Sequence, residues 1–116
     1  MMDFTNYKSE IQELADKIMK GRYERGEPYM DDCRKMIEVG KEMKDSYLLG
    51  FAYYYLAEGY FCLNDHQNLI VYLTDAIVNQ QKAAQWKMLM RSHNVMGIDA
   101  FNRGNMTIAL DQYIAA

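Results

Sequence analysis

Apolar residues recur along this chain at intervals of three and four. Phe4, Tyr7, Ile11, Leu14 and Ile18 share one face of a helix drawn over roughly residues 4–20. Glu13 with Lys17 and Asp16 with Lys20 form i,i+4 pairs on its wet side, and Gly21 supplies a stop. GRYERGEP, residues 21–28, is the one extended loop, and Pro28 suits a first helical turn. A second helix then runs to about Met43, with Met30, Cys33, Ile37 and Gly40 on one face. Asp31 and Asp32 near its start favour the positive end of the helix dipole. Asp45 or Ser46 caps a third helix reaching Leu63, and Asn64–Asp65 turns the chain into a fourth. Leu69, Leu73, Ala76 and Ile77 point inward there, and Asn79, Gln80 and Gln81 mark its end. A fifth helix covers about Lys82 to Asn102, and Asn105 caps a sixth in which Ala109, Tyr113 and Ala116 line up. No segment alternates long enough for a strand. Gly50–Leu56, GFAYYYL, has aromatics that would suit one, but its length and flanking caps favour helix. The expectation is an all-α fold of about six helices, stacked as antiparallel pairs.

Composition narrows this reading. The 116 residues make one domain with one core. Seven glycines and a single proline argue against many short strands. Thirteen basic residues against sixteen acidic ones give a net charge of −3 without a basic stripe, which excludes a nucleic-acid-binding domain. The most apolar segment, Tyr47–Leu63, contains Glu58 and falls short of the ~20 residues of a membrane span. The first ten residues lack a basic region followed by an apolar run, so a cytoplasmic chain is expected. Cys33 and Cys62 form no C-x-x-C pair and sit in apolar helical stretches as small hydrophobes.

The last two segments carry a repeat. From His93 to Ala116, Met96 and Gly97 occupy positions 7 and 8 of the tetratricopeptide pattern, and Ala109, Tyr113 and Ala116 occupy positions 20, 24 and 27. Gly104 falls where the turn belongs. Small residues at Gly97 and Ala109 let two helices cross closely, and Tyr113 fills the space beside the crossing. Aligning turns pairs Asp65 with Gly104, 39 residues apart against a standard period of about 34. The excess is assigned to a fifth helix that begins a turn early. In that register Ala57, Glu58, Ile70 and Ile77 take positions 7, 8, 20 and 27. Cys33, Ile37 and Gly40 are the equivalents of positions 20, 24 and 27 in the first pair. A tetratricopeptide-like right-handed array is the architecture these matches imply.

Two runs carry a further resemblance. DSYLLGFAYYYLAEGYF (Asp45–Phe61) and NVMGIDAFNRGN (Asn94–Asn105) resemble the N-terminal helical-repeat regions of bacterial GGDEF signalling proteins, where such a region precedes a diguanylate cyclase domain. The resemblance implies a regulatory role. The G-G-D-E-F motif is absent from the chain. The final segment, ALDQYIAA, lacks a glycine cap and a polar closing helix, so residues 1–116 read as a single helical-repeat domain, the N-terminal fragment of a longer protein. Self-association through that uncapped end follows as an expectation.

Motifs of catalysis are missing. Gly21 and Gly26 have the spacing of a phosphate loop, but Glu27 and Pro28 follow in place of lysine and a hydroxyl. His66 reads as a surface residue and His93 as a packing one, with no converging metal ligands, and no cofactor is expected. Asp31 and Asp32 point in different directions. Glu58, inside an apolar helix, lies on a wet edge or reaches a partner such as Arg91. Ten tyrosines and ten methionines exceed what one core face takes, and the surplus suits an adaptable binding surface. In the repeat register the concave groove is lined by Ala52, Tyr55, Gly59 and Cys62, then by Arg91, Asn94, Ile98, Phe101 and Asn102. Only Asn94 among these fits a clamp for C-terminal carboxylates, so a helix or extended peptide is the better ligand. The sequence thus points to a non-enzymatic module that binds a protein or peptide or associates with itself. A small-molecule sensor with a pocket among Tyr55, Trp86 and Arg91 is the alternative.

Overall fold

The computed structural model describes residues 3–115, and of Met106, Thr107, Ala109 and Tyr113 it describes the backbone alone. Its elements are α1 (Ser9–Gly21), α2 (Glu27–Met43), α3 (Ser46–Cys62), α4 (His66–Lys82), α5 (Trp86–Asn102) and α6 (Met106–Ala115). The described residues contain no strand, and Gly50–Leu56 lies inside α3. No helix among them is long and apolar enough to cross a membrane.

Four turns built alike set the architecture. Lys44, Asn64, Ala84 and Gly104 all have positive φ, at 20-residue intervals. The residue after each returns its N–H to a carbonyl five positions back: Asp45 to Gly40, Asp65 to Tyr60, Gln85 to Gln80 and Asn105 to Ala100, at 2.8–3.0 Å. This closure satisfies carbonyls that the ending helix leaves free. Asp45, Asp65 and Asn105 then start the next helix by accepting from the N–H of Leu48, Asn68 and Ile108. Gln85 makes no such cap, because its amide reaches back to the Tyr47 carbonyl at 3.2 Å.

The chain therefore repeats every 40 residues, and the longer period has a different origin from the one expected. Helix α5 begins at Trp86 rather than near Lys82. The added length is shared instead, since α2, α3, α4 and α5 each run 17 residues. A 40-residue offset places buried residues on buried ones: Tyr29 on Leu69, Cys33 on Leu73, Met36 on Ala76, Leu48 on Met88, Ala52 on Ser92 and Ala57 on Gly97. In the pair α3–α4 this moves the equivalents of Gly97 and Ala109 to Ala57 and Leu69, one position from the expected register. Ile70 and Ile77 are only half-buried. Of the other repeat-packing residues, Met96 is half-buried against the core and Gly104 occupies the α5–α6 turn. Ala109 and Tyr113 lie on α6, and Ala116 lies outside the described residues.

Helix α1 starts at Ser9, later than its periodicity predicts. Phe4 and Tyr7 leave the helical path to pack on the start of α3. The Phe4 ring meets Phe51 edge-on at 4.9 Å, and the Tyr7 hydroxyl donates to Asp45 Oδ2 at 2.8 Å. Helix α3 is apolar all round and is the centre of the stack, with Tyr53, Tyr54 and Tyr55 all buried. Much of the tyrosine surplus is thus core. Tyr53 and Tyr60 stack on Tyr72, and the Tyr29 hydroxyl donates to the Tyr55 carbonyl at 2.6 Å.

Close approach around α3 needs its glycines. A Cβ at Gly50 would collide with Gln85 Oε1 and stand 3.2 Å from the Gln80 backbone nitrogen. A Cβ at Gly59 would collide with Met30 Sδ. Beside Gly50 runs a buried polar relay. Gln80 Nε2 donates to the Gly50 carbonyl at 3.3 Å, and Ser92 Oγ donates to Gln80 Oε1 at 2.8 Å, with Gln80 and Ser92 both fully buried. Gln80 thus belongs to the core of α4 rather than to a polar helix end.

Two outcomes test this packing. Replacing Gln80 with leucine strands the buried Ser92 hydroxyl and should cost about 1–3 kcal/mol in urea unfolding. Adding Ser92→Ala should recover part of that loss, which a double-mutant cycle reads directly. Burial pushes the Cys33 thiol up to about 12, whereas Cys62 is exposed. Iodoacetamide at mildly alkaline pH should therefore label the native chain once, at Cys62, and label Cys33 only after unfolding, as peptide mass mapping would report.

Candidate functional site

The chain's best-defined polar cluster forms where the α1–α2 loop folds over α3. Arg25, held at positive φ, aims its guanidinium at the last turns of α3. Its Nη2 lies 3.3 Å from Glu58 Oε1, its Nη1 contacts Cys62 Sγ, and its Nε donates to the Arg22 carbonyl at 2.6 Å. Tyr54, one turn before Glu58 and on the same face, donates its hydroxyl to Glu58 Oε2 at 2.6 Å. Glu58 is therefore paired, with Arg25 rather than with Arg91. The loop brings Arg25 into place, and sequence distance hid this, since the two residues stand 33 positions apart.

Arg91 approaches the same cluster from α5. A cleft of about 290 Å³ lies between the loop, α3 and α5, lined by Arg22, Tyr23, Tyr54, Tyr55, Glu58 and Arg91 together with Arg25. Three guanidiniums face one carboxylate there, in a chain whose net charge is −3. Arg22 is fixed by the Met19 carbonyl at 2.7 Å and the Tyr23 hydroxyl at 2.6 Å, and it stacks 4.5 Å above the Tyr23 ring. Arg91 is exposed and makes no ion pair among the described residues. Burial raises the Tyr55 phenol above its ordinary value, with Arg91 and Arg22 opposing the rise and Glu58 adding to it. Burial and the neighbouring Glu58 carboxylate raise Tyr54 further.

The expected groove is divided by the fold. Tyr55 and Arg91 meet in this cleft. Trp86 lines a neighbouring cleft of about 400 Å³, and Arg91 belongs to both. Ala52 is buried, and Gly59 is buried beneath Met30. Cys62 is exposed and lies against Arg25. Asn94, Ile98 and Phe101 are exposed along α5. Asn102 instead lines a cleft of about 370 Å³ beside His66 and Asp99.

That last cleft holds a second charged group. Asp99, 7% exposed, has Arg103 Nε at 3.4 Å, and His66 Nδ1 lies 2.6 Å from its other oxygen, off a hydrogen-bonding direction. His66 is thus half-exposed and lies against the Asp99 carboxylate rather than standing free on the surface. His93 Nδ1 lies 2.6 Å from Gln112 Oε1 of α6, a contact between helices. Asp99 could be found in the sequence only through the 40-residue offset, which puts it on buried Gly59. Arg22 and Arg25 are the nearest the sequence comes to a basic cluster, but Glu24 and Glu27 interleave them and masked the site.

Comparison with known proteins found no matching family model, no matching curated protein and no matching solved structure.

The tyrosines give the cluster an alkaline signature. Tyr29 and Tyr54 are both raised, chiefly by burial, from an ordinary value of 10.0. Above about pH 10 the unfolded chain loses phenolic protons that the native state keeps, so stability falls as pH rises beyond that point and is complete below it. Urea midpoints measured on either side of pH 10 should show the fall, and Tyr54→Phe should flatten it.

Proposed function

We propose that this chain is a non-catalytic interaction module of tetratricopeptide-like architecture, acting in the cytoplasm as a regulatory part of a larger bacterial signalling protein. The 40-residue alternation of buried positions supports a helix-pair array. Its binding surface is the stripe Arg91, Asn94, Ile98 and Phe101 on α5, continued by Asn102 at the edge of the next cleft, and its ligand is a peptide segment of a neighbouring domain or partner. One observation carries this reading. The counterparts of the stripe 40 residues earlier are Phe51, Tyr54, Glu58, Phe61 and Cys62 on α3. The chain covers several of these itself, with Phe4 on Phe51 and Arg25 on Glu58. On α5, Ile98 and Phe101 remain 41% and 53% exposed. Exposed apolar residues in register with a packed surface favour a partner that packs the same way.

Self-association belongs to the same reading. Leu110 and Ile114 of α6 are 57% and 83% exposed, and a second copy would cover them. A second reading, small-molecule sensing, is favoured by the cleft that joins Tyr55 and Arg91.

Selection of peptides from a displayed library against the intact chain tests the leading reading. Selected peptides should lose about tenfold or more in affinity for an Ile98→Asp, Phe101→Asp variant, since apolar anchors carry most of the energy at such surfaces. Its circular dichroism should match that of the parent. Peptides that bind parent and variant alike, or a selection that yields none, would sink the assignment.

A further inference from the structure

We propose that the cleft between the α1–α2 loop, α3 and α5 binds a small aromatic acid, its anionic group held by Arg91 and Arg22 and its ring against Tyr23. This rests on the sensing reading of the cleft and adds the chemical class of the ligand.

The charge balance comes first. Arg25 is already committed to Glu58, Cys62 and the Arg22 carbonyl. Glu58 accepts from Tyr54 with its other oxygen. The resident carboxylate therefore neutralises one guanidinium and leaves two. Arg22 is held in place by its backbone and Tyr23 contacts, so it loses little freedom when it meets a ligand. Arg91, like Arg22, makes no ion pair among the described residues. A guanidinium presents two parallel N–H donors, which match the two oxygens of a carboxylate or a phosphate. In an acidic chain this is a local site for an anion, and the surrounding negative charge selects against bulky polyanions.

The walls supply the second half of the argument. Tyr23, Tyr54 and Tyr55 line the cleft, and Trp86 lines the adjoining one across Arg91. Aromatic side chains pack against a ligand ring edge-on or offset, and they do so best where one end stays polar. The volume, about 290 Å³, is at the small end for ligand pockets and fits one ring with one acidic group. Tyr54 and Tyr55, buried and packed edge to face 5.0 Å apart, form a rigid floor, and the exposed Tyr23 ring is the surface that a ligand ring can meet.

Amide chemical-shift titration of the whole chain tests this with four probes: benzoate, phenyl phosphate, benzyl alcohol and inorganic phosphate. Benzoate, phenyl phosphate or both should give saturable shifts at Tyr54, Tyr55, Glu58 and Arg91, and the preference between them identifies the acid. Benzyl alcohol and inorganic phosphate should give none at those positions. Arg91→Ala should weaken the acid about tenfold or more, and Arg91→Lys should restore only part because it keeps the charge without the fork. Equal binding of benzyl alcohol would overturn the acid while leaving a sensing cleft. Saturation by inorganic phosphate alone would overturn the aromatic half. Silence from both acids would overturn the proposal, and undiminished binding to Arg91→Ala would place the ligand elsewhere.

Discussion

The Gln80 amide donates to the Gly50 carbonyl and accepts from the Ser92 hydroxyl, so one side chain joins α4 to both α3 and α5 where water does not reach. Hydrophobic side chains can repack after a small slide of one helix along another at modest cost, whereas a buried amide loses its partners outright. If the helices shift by a residue, its polar atoms lose their partners and the desolvation cost returns in full. The relay therefore fixes the relative heights of three helices. Gly50 makes it possible, since any side chain there would push the end of α4 and the Gln85 amide away. The meeting of Arg91 with Tyr55 depends on this same registration of α5 against α3.

Helix number and most helix ends were legible because their determinants are local. Asp45, Asp65 and Asn105 cap the helices that their side chains suggested. The repeat length was less legible. Of the four matched turns only Gly104 carries glycine and only Asn64 a residue tolerant of positive φ, while Lys44 and Ala84 adopt it under the demands of the turn. The period reads as 39 when the capping Asp65 is paired with Gly104, and as 40 once Asn64, which shares the positive φ of Gly104, takes its place. The Phe4 and Tyr7 spacing looked helical because helical intervals also occur by coincidence over two turns. Their aromatic contacts with the start of α3 are tertiary, and no local pattern announces them.

The cleft was half legible. Glu58 attracted notice as a charge inside an apolar helix, and Tyr55 and Arg91 as groove positions in the repeat register. Their arrangement was not readable, because Arg25 reaches Glu58 through a loop whose path depends on how α1 and α2 pack. Gln80 was misread for a related reason. A polar residue near a helix end looks like a surface residue until the next helix is folded over it. Polar groups inside a helical stack are visible in sequence only when their partners are known, and those partners lie 12 and 30 residues away.

The turns have one more consequence, for the order in which the chain assembles. Each helix packs mainly on the helices before and after it, joined by turns of two or three residues along α2 to α6. Contacts of this kind close short loops, and chains dominated by them fold quickly. They also make stability a sum of neighbouring interfaces rather than a property of one indivisible core. Helix α3 touches α2, α4 and α5, whereas α6 rests chiefly on α5. The array is therefore firmest around α3, and the helices that do not touch it are the ones that cost least to rearrange.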